Sequence, residues 1–162
     1  MKIKVGLLIV SDRSFRGERA DSTTPLFKEK IIELEWELTK TGIVPDEIEE
    51  VSKQLSDWSD NRGLDIIFTS GGTGFSPRDI TPEATLSILD KQAPGIVEAL
   101  RMDGLKSTPY SMLSRSVAGI RKSCLIINLP GSPKAAVEGL VFLANILPHA
   151  VLLIHNTETD HA

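Results

Sequence analysis

Short apolar runs alternate with amphipathic segments along the first part of the chain. Residues Ile3 to Val10 are nearly all apolar, which is typical of a strand covered on both faces by helices. From about Thr24 to Glu35, apolar residues recur at helical spacing and predict a helix. The stretch from Trp36 to Val44 predicts a second strand, which ends at Pro45 because proline cannot donate to a sheet ladder.

The same alternation continues through the rest of the chain. Ile48, Val51, Leu55 and Trp58 form the apolar stripe of a helix that Asp46 can cap. We further predict a strand at Leu64 to Thr69, helices from Thr81 to about Asp90, from Gly95 to Leu105 and from Ser132 onward, and two paired extended segments at Ser116 to Arg121 and Cys124 to Asn128. This order predicts an α/β fold with three α/β/α layers, a mostly parallel sheet and helices on both faces.

The composition is consistent with one domain covering residues 1–162. Hydrophobic residues make up 41% and charged residues 25% of the chain, as in globular proteins. The formal net charge of -4 provides no broad cationic face, so we expect no nucleic acid partner. No basic segment with a cleavable apolar core precedes the first strand, and we therefore expect a cytoplasmic location.

The apolar segment from Gly139 to Ile154 resembles a membrane span only superficially. It contains Asn145, Pro148 and His149, and it is shorter than the roughly 18 residues that a span requires. We interpret it as a helix that is buried or faces another subunit, and we expect no membrane partner.

Polar loops follow three of the predicted strands. Ligands of open α/β sheets bind at the carboxyl ends of the strands, where helix N-termini present free N–H groups. The candidate loops contain Ser11 and Asp12, then Gly71 to Asp79, and finally Gly131, Ser132 and Lys134.

The second of these loops contains Gly71, Gly72, Thr73 and Gly74 directly after a predicted strand. Glycines permit positive φ angles and let backbone amides approach a phosphate. A tight turn without a ligand explains so short a motif about as well. The loop also lacks the lysine of a P-loop and the spacing of a dinucleotide-binding motif. On its own, it indicates an anion site of unspecified ligand.

A longer string around this loop resembles the signature of the molybdenum cofactor biosynthesis domain family. The string reads Thr-Ser-Gly-Gly-Thr-Gly-Phe-Ser-Pro-Arg-Asp-Ile-Thr-Pro-Glu-Ala-Thr from Thr69 to Thr85. The resemblance continues at Ile43 to Glu47, Met112 to Arg121 and Leu125 to Lys134, and so it spans nearly the whole chain. It implies a three-layer α/β fold and an adenylyltransferase that uses ATP to adenylylate the terminal phosphate of molybdopterin, releasing pyrophosphate before metal insertion.

The resemblance assigns catalytic roles to two aspartates. Asp79, in Pro-Arg-Asp-Ile-Thr-Pro, is the leading candidate, and Asp46, in Val-Pro-Asp-Glu, is the second. Turn formation by Asp79 and helix capping by Asp46 are the alternative interpretations. The attacking phosphate is already largely ionised at neutral pH, so catalysis needs charge neutralisation and alignment more than a general base. We therefore expect Asp79, together with Asp46, to bind Mg²⁺.

Cations and hydroxyl groups within the matching strings are candidate substrate contacts. Arg78, Arg115 and Lys134 are expected to bind phosphate, with a solvated surface charge as the alternative for each. Ser114 and Ser116 are expected to supply hydroxyl donors. We expect the loop at Gly131, Ser132 and Pro133 to lie beside the nucleotide, because its helix start offers backbone donors. The resemblance places Gly71 to Gly74 on the pterin side, whereas spacing alone leaves open which loop binds which substrate.

Three functional classes remain open on the sequence alone. The adenylyltransferase is favoured over a pterin-binding or scaffolding module without rapid turnover, because both Asp46 and Asp79 are present. A different nucleotide-handling enzyme, such as a hydrolase, is the third class. The resemblance also implies a homo-oligomer, either a trimer or a dimer of trimers, with the metal-insertion enzyme as a candidate partner.

Overall fold

The computed structural model describes residues 2–61 and 63–156. The strands are β1 (Lys4–Val10), β2 (Glu37–Val44), β3 (Ile66–Ser70), β4 (Lys91–Gln92), β5 (Ala118–Arg121) and β6 (Cys124–Leu129). The helices are α1 (Asp12–Phe15), α2 (Thr23–Glu33), α3 (Ile48–Asn61), α4 (Thr81–Leu86), α5 (Pro94–Leu105), α6 (Pro133–Leu143) and α7 (Leu147–Ile154), and a 3₁₀ helix covers Pro109–Leu113.

The strands of the described ranges form one sheet in the order β2-β1-β3-β6-β5-β4. Strands β2, β1, β3 and β6 are parallel, whereas β5 runs antiparallel to both β6 and β4. Arg121 pairs with Cys124 across a turn in which Lys122 has a positive φ of 51°. The mostly parallel sheet and the pairing of the two late extended segments are confirmed.

Helices cover both faces of this sheet, because side chains along each inner strand alternate between two buried clusters. Leu7 and Ile9 of β1 pack on one face with α2, α5, α6 and α7. Leu8 and Val10 of the same strand pack on the other face with α3 and α4. This double burial explains why β1 is apolar throughout, and it confirms the three-layer α/β/α fold.

The apolar segment near the C-terminus forms two helices where one was predicted. Helix α6 ends at Leu143, α7 begins at Leu147, and the two are bent by 67°. Pro148 lies in the first turn of α7, where a missing N–H is tolerated, whereas inside a continuous helix it would break the backbone bonding. Among the described residues no single helix is long and apolar enough to cross a membrane. The bent pair α6 and α7 passes that test only together, by length and composition.

Three short elements were not predicted, namely α1, β4 and the 3₁₀ helix. Side-chain hydroxyls cap two of them, since Ser11 Oγ accepts from Ser14 N–H and Thr108 Oγ1 accepts from Tyr110 N–H. Helix α4 is shorter than predicted, because the chain after Leu86 turns into the sheet, where Asp90 N–H bonds to Ile120 O.

The register of the parallel strands brings three loops to one edge of the sheet. Ile9 of β1 pairs with Ser70 of β3, and Ser70 pairs with Leu129 of β6. The loops that begin at Ser11, Gly71 and Pro130 therefore leave the sheet side by side, at the carboxyl ends of the strands where ligands of such folds bind.

Candidate active site

The loop after β3 requires glycine at two positions. Gly71 and Gly72 have φ angles of 108° and 68°, a left-handed backbone that residues with a Cβ rarely adopt. A Cβ on Gly71 would overlap the carbonyl oxygen of Val10. A Cβ on Gly72 would overlap the hydroxyl of Thr81 and lie 3.0 Å from Asp46 Oδ1. The loop is therefore built for close approach of neighbouring segments.

The start of α4 fixes this glycine loop in place. The hydroxyl of Thr81 donates to Gly71 O at 2.8 Å, and the N–H of Thr81 donates to Gly72 O at 3.0 Å. Thr81 is fully buried, so these bonds are shielded from water. The loop consequently presents a defined backbone to the site.

Asp79 lies in the turn between the glycines and α4. Its N–H donates to Ser76 O at 2.9 Å, and its Oδ2 accepts from Ser76 N–H at 3.0 Å. The turn contact expected of Asp79 is thus present. Its Oδ1 accepts no hydrogen bond from any described residue, and this oxygen remains available to a ligand.

Asp46 bonds to the loop after β1 and does not cap α3, which begins at Ile48. Its Oδ2 accepts from Asp12 N–H at 2.9 Å, and Asp12 Oδ1 accepts in return from Asp46 N–H at 3.0 Å. The prediction of a helix cap is wrong, because the side chain joins the ends of β1 and β2. Asp12 and Asp46, both predicted site residues, are therefore in contact.

These carboxylates interact electrostatically with one another. Burial raises the pKa of Asp46, and the charges of Asp12 and Asp79 contribute to the same shift. The hydrogen bond from Arg78 lowers the pKa of Asp12 below its usual value. Three loops thus bring acidic groups to one place, and burial beside the other two carboxylates disfavours the charged form of Asp46.

Arg78 is placed among carboxylates and lines neither of the two cavities described below. Its Nε donates to Asp12 Oδ2 at 2.8 Å, and its Nη2 donates to Asp12 Oδ1 at 3.1 Å and to Glu47 Oε1 at 2.8 Å. These bonds raise the pKa of Arg78. In this arrangement the guanidinium holds the glycine loop to the loops after β1 and β2.

Arg115 holds the same loop from its other side. Its Nε donates to Gly74 O and its Nη2 to Asp79 O, each at 2.8 Å. Its backbone N–H donates to Thr73 O at 2.8 Å, and its Nη1 forms an ion pair with Glu83. Arg115 is therefore adjacent to the catalytic candidate, but most of its bonds serve to shape the loop.

Two cavities open on this edge of the sheet. A polar cavity of about 460 Å³ is lined by Ser11, Asp46, Gly71, Gly72, Gly131 and Ser132, with Asp79 at its boundary. An apolar cavity of about 490 Å³ is lined by Gly74, Phe75, Leu100, Arg101, Tyr110 and Ser116, again with Asp79. Asp79 thus lines both cavities, and the glycine loop runs between them.

The remaining predicted residues are distributed unevenly. Ser114 and Ser116 line the apolar cavity, and the hydroxyl of Ser114 donates to Ser116 Oγ at 3.0 Å. Lys134 lies outside both cavities with its side chain 87% exposed, 3.8 Å from Glu138. Four predicted site residues line neither cavity, namely Asp12, Arg78, Arg115 and Lys134. Asp12 and Arg115 bond to the lining residues Asp46 and Asp79, whereas Arg78 and Lys134 lie at the periphery.

Several lining residues were missed from the sequence. In the polar cavity these include Ser14, Arg19, Ser22 and Thr23, of which the last two could have been found as the start of α2. In the apolar cavity they include Phe75, Arg101 and Tyr110. A lone arginine or aromatic residue on a helix gives no sequence signal, because only tertiary packing decides whether it faces a cavity.

Asp46 and Asp79 are the residues here that could contribute to a divalent cation site, with further ligands needed from outside the protein. Within residues 2–61 and 63–156, no three His, Cys, Asp or Glu side chains are arranged to hold a metal ion by themselves. Mg²⁺ favours one or two carboxylates together with phosphate oxygens and water. The unbonded Oδ1 of Asp79 and the raised pKa of Asp46 agree with such a partial ligand set.

Comparison with known proteins agrees with this geometry. Residues 6–149 match the model of a family described as "Probable molybdopterin binding domain". The chain is 41% identical over 157 residues to the molybdopterin adenylyltransferase of Helicobacter pylori strain J99, covering 94% of this chain and 88% of that protein. It is also 40% identical over 153 residues to the molybdenum cofactor synthesis protein cinnamon of Drosophila melanogaster. This chain spans about a quarter of the length of that fruit-fly protein (26%).

A solved structure supports the fold as a whole. The molybdopterin biosynthesis enzyme MoaB from Thermus thermophilus superposes with a TM-score of 0.90 at 48% sequence identity. The superposition covers 96% of this chain and 98% of that one. The two proteins therefore share the same fold over nearly their whole length.

Proposed function

Because the chain belongs to the molybdopterin-binding domain family of molybdenum cofactor biosynthesis, we propose that it is a molybdopterin adenylyltransferase. In this proposal ATP adenylylates the terminal phosphate of molybdopterin, and pyrophosphate is released. The observation that carries the proposal is the position of Asp79 between two cavities of similar size. A transfer between two bound substrates needs two adjacent sites with the reacting groups at their boundary.

The properties of the two cavities support an assignment of substrates. The apolar cavity, with Phe75 and Tyr110 in its wall, suits the flat pterin ring. The polar cavity contains Gly131 and Ser132, and Ser132 caps α6 through a bond from Ala135 N–H. A helix start of this kind binds phosphate through free N–H groups, which suits the nucleotide. Because Thr73 and Gly74 line the apolar cavity while Gly71 and Gly72 line the polar one, the glycine loop contacts both substrates.

The reaction then requires alignment more than proton transfer. A terminal phosphate oxygen of the pterin forms a bond to the α-phosphorus of ATP, and the bond from that phosphorus to the β-phosphate bridging oxygen breaks. The attacking oxygen is already ionised at neutral pH, so no residue has to remove a proton. The glycine loop holds the two substrates in line, and Arg115 fixes its shape through Gly74 O and Asp79 O.

Charge neutralisation is the second requirement, because two anionic phosphates must approach each other. Asp79 and Asp46 would hold Mg²⁺ together with phosphate oxygens, and the ion would neutralise charge on the triphosphate and the pyrophosphate that leaves. Arg78 forms an ion pair with Asp12, so the negative charge of Asp12 does not add to that of Asp46 and Asp79 near the phosphates. The proposal thus includes Mg²⁺ as cofactor and ATP and molybdopterin as substrates.

A direct assay tests this function. The protein is incubated with molybdopterin and Mg-ATP, and adenylylated pterin is sought by mass spectrometry, with a parallel reaction in excess chelator. We expect product with Mg²⁺ and a large loss in chelator. Undiminished product in chelator would refute the role of the ion. Retained pterin binding without product would favour a binding module.

We propose that the protein forms a homo-oligomer, either a trimer or a dimer of trimers. An apolar surface on the side of α5 and α6 supports self-assembly. Ala93, Ile96, Ala99, Phe142 and Ile146 line an apolar groove of about 440 Å³ there. Phe142 and Ile146 are 40% and 52% exposed, respectively. Apolar surface of this kind marks contact sites in soluble proteins, and sedimentation analysis would give the number of subunits. We propose the enzyme that inserts the metal as the partner that receives the product.

A further inference from the structure

Arg101 differs from the two arginines that hold the glycine loop in place. Arg78 is paired with Asp12 and Glu47, and Arg115 is paired with Glu83. Arg101, on α5, lines the apolar cavity and forms no ion pair with any described residue. A cationic side chain that faces a largely apolar cavity without a counter-ion needs an explanation.

The guanidinium of Arg101 is held firmly at one end. Its Nη1 donates to Ser114 O at 3.2 Å and to Ser116 O at 3.1 Å. Its backbone carbonyl accepts from the hydroxyl of Ser111 at 2.9 Å, which fixes the helix at this point. Neither Nε nor Nη2 donates to a described residue. The side chain is thus oriented by the protein while most of its donors stay available.

The carboxylates that line the same cavity already have other partners. Asp79 Oδ2 accepts from Ser76 N–H, and Asp103 pairs with Lys106 at 3.3 Å. Glu138 lies 3.8 Å from Lys134. None of them lies within ion-pair distance of Arg101. A partly buried cation without a counter-charge is unfavourable, and an anion from the ligand would remove that penalty.

We propose that Arg101 binds the phosphate of the pterin substrate inside the apolar cavity, an inference that rests on the proposed function. A guanidinium can donate two parallel N–H groups to two oxygens of one phosphate. A carbonyl group of the pterin ring has a single oxygen and does not match this pair of donors. The phosphate would then lie in the cavity that Asp79 borders, with the ring against the apolar wall. Arg101 therefore distinguishes the phosphorylated pterin from its unphosphorylated counterpart.

Intrinsic pterin fluorescence allows a binding test with two probes, 6-hydroxymethylpterin and its phosphate monoester. For the unmodified protein we expect the monoester to bind about 10- to 100-fold more tightly than the alcohol. Arg101→Gln should weaken binding of the monoester by about the same factor. The affinity for the alcohol should change by less than about threefold. Arg101→Lys, which keeps the charge without the planar pair of donors, should lie in between. Lys53→Gln, which removes an exposed cation from α3, a helix that does not line the apolar cavity, is the matched control and should leave both affinities unchanged.

Inorganic phosphate on the unmodified protein provides a test that does not depend on folding of the variants. It should compete with the monoester and leave binding of the alcohol unaffected. The proposal would be overturned if Arg101→Gln weakened the binding of both probes equally. It would also be overturned if the unmodified protein bound the monoester no more tightly than the alcohol. If adenylyl transfer proceeds while Arg101→Gln keeps the normal preference, the inference fails and the proposed function stands. If the monoester binds through Arg101 and no transfer occurs, the proposed function fails instead.

Discussion

Asp12 and Asp46 exchange hydrogen bonds, each carboxylate accepting the backbone N–H of the other residue at 3.0 and 2.9 Å. The exchange joins the loops after β1 and β2 and places two like charges side by side. Arg78 offsets the charge of Asp12 but leaves Asp46 partly buried beside Asp12 and Asp79. The site therefore contains a carboxylate that the folded protein accommodates poorly, as expected where function and stability compete.

We expect Asp46→Asn to stabilise the protein at neutral pH. The pKa of Asp46 is raised in the folded state, so folding favours its protonated form, and the stability contribution of this group is lost as pH rises through that pKa. Asparagine keeps the acceptor for Asp12 N–H without the charge. The melting temperature should rise by about 2 °C at pH 7.5.

The pH dependence separates this cause from others. The gain in melting temperature should shrink as pH falls below the raised pKa, because Asp46 of the unmodified protein is then neutral as well. Thermal unfolding between pH 4.5 and 8 measures the difference. If the variant is less stable than the unmodified protein throughout this range, the charge of Asp46 does not destabilise the folded state.

Gly72→Ala should destabilise the fold and abolish turnover. The substitution forces a Cβ against the hydroxyl of Thr81 at a residue with φ of 68°, and we expect a loss of about 3 kcal/mol in the free energy of unfolding. Gly17→Ala is a matched control, since its φ is 74° and a Cβ there meets nothing within 4 Å. The control should lose only about 1 kcal/mol. Urea unfolding of both variants checks this, and equal losses would contradict the role assigned to the Thr81 contact.

Arg115→Lys should impair catalysis as well as stability. Lysine keeps the charge but cannot bond Gly74 O, Asp79 O and Glu83 together, so the turn that contains Asp79 loses its fixed shape. We expect kcat/KM to fall by about 10- to 100-fold. Arg121→Lys is the matched control, because Arg121 bonds Asp60 and Ile88 O away from both cavities. It should lose stability while keeping kcat/KM. A similar fall in kcat/KM for both variants would mean that general destabilisation, and not the Asp79 turn, explains the effect.

The sequence predicted the layers of the fold well because burial of the sheet on both faces imposes a recognisable hydrophobic pattern on the strands and helices. A strand such as β1 must be apolar at consecutive positions, and helices between such strands must show one apolar face. The break before Leu147 escaped prediction, since Pro148 is compatible both with the start of a helix and with the end of one. Capping by Asp46 was wrong for a related reason. Its actual partner, Asp12, lies 34 residues away in the chain.

The predicted site residues were located more reliably than their contacts. The glycine loop, Asp79, Ser114 and Ser116 all lie at the two cavities. The partners of Arg78 lie 66 and 31 residues away, however, so no local pattern indicates that its charge is already balanced. Arg101 gave no signal at all, because an arginine on an amphipathic helix looks the same whether it faces water or a cavity. Tertiary contacts decide both cases.

Transfer of a label from ATP tests the central claim, that Asp79 lies at the junction where AMP passes to the pterin. The protein in excess is mixed with ATP labelled at the α-phosphate, Mg²⁺ and molybdopterin in a single turnover, beside Asp79→Asn, which keeps an acceptor for Ser76 N–H. We predict that the label moves to the pterin with an equal amount of unlabelled pyrophosphate, and that the variant binds both substrates but transfers the label at least about 100-fold more slowly. Label that stays in ATP or appears as free AMP, or transfer at an unchanged rate by the variant, would contradict the account.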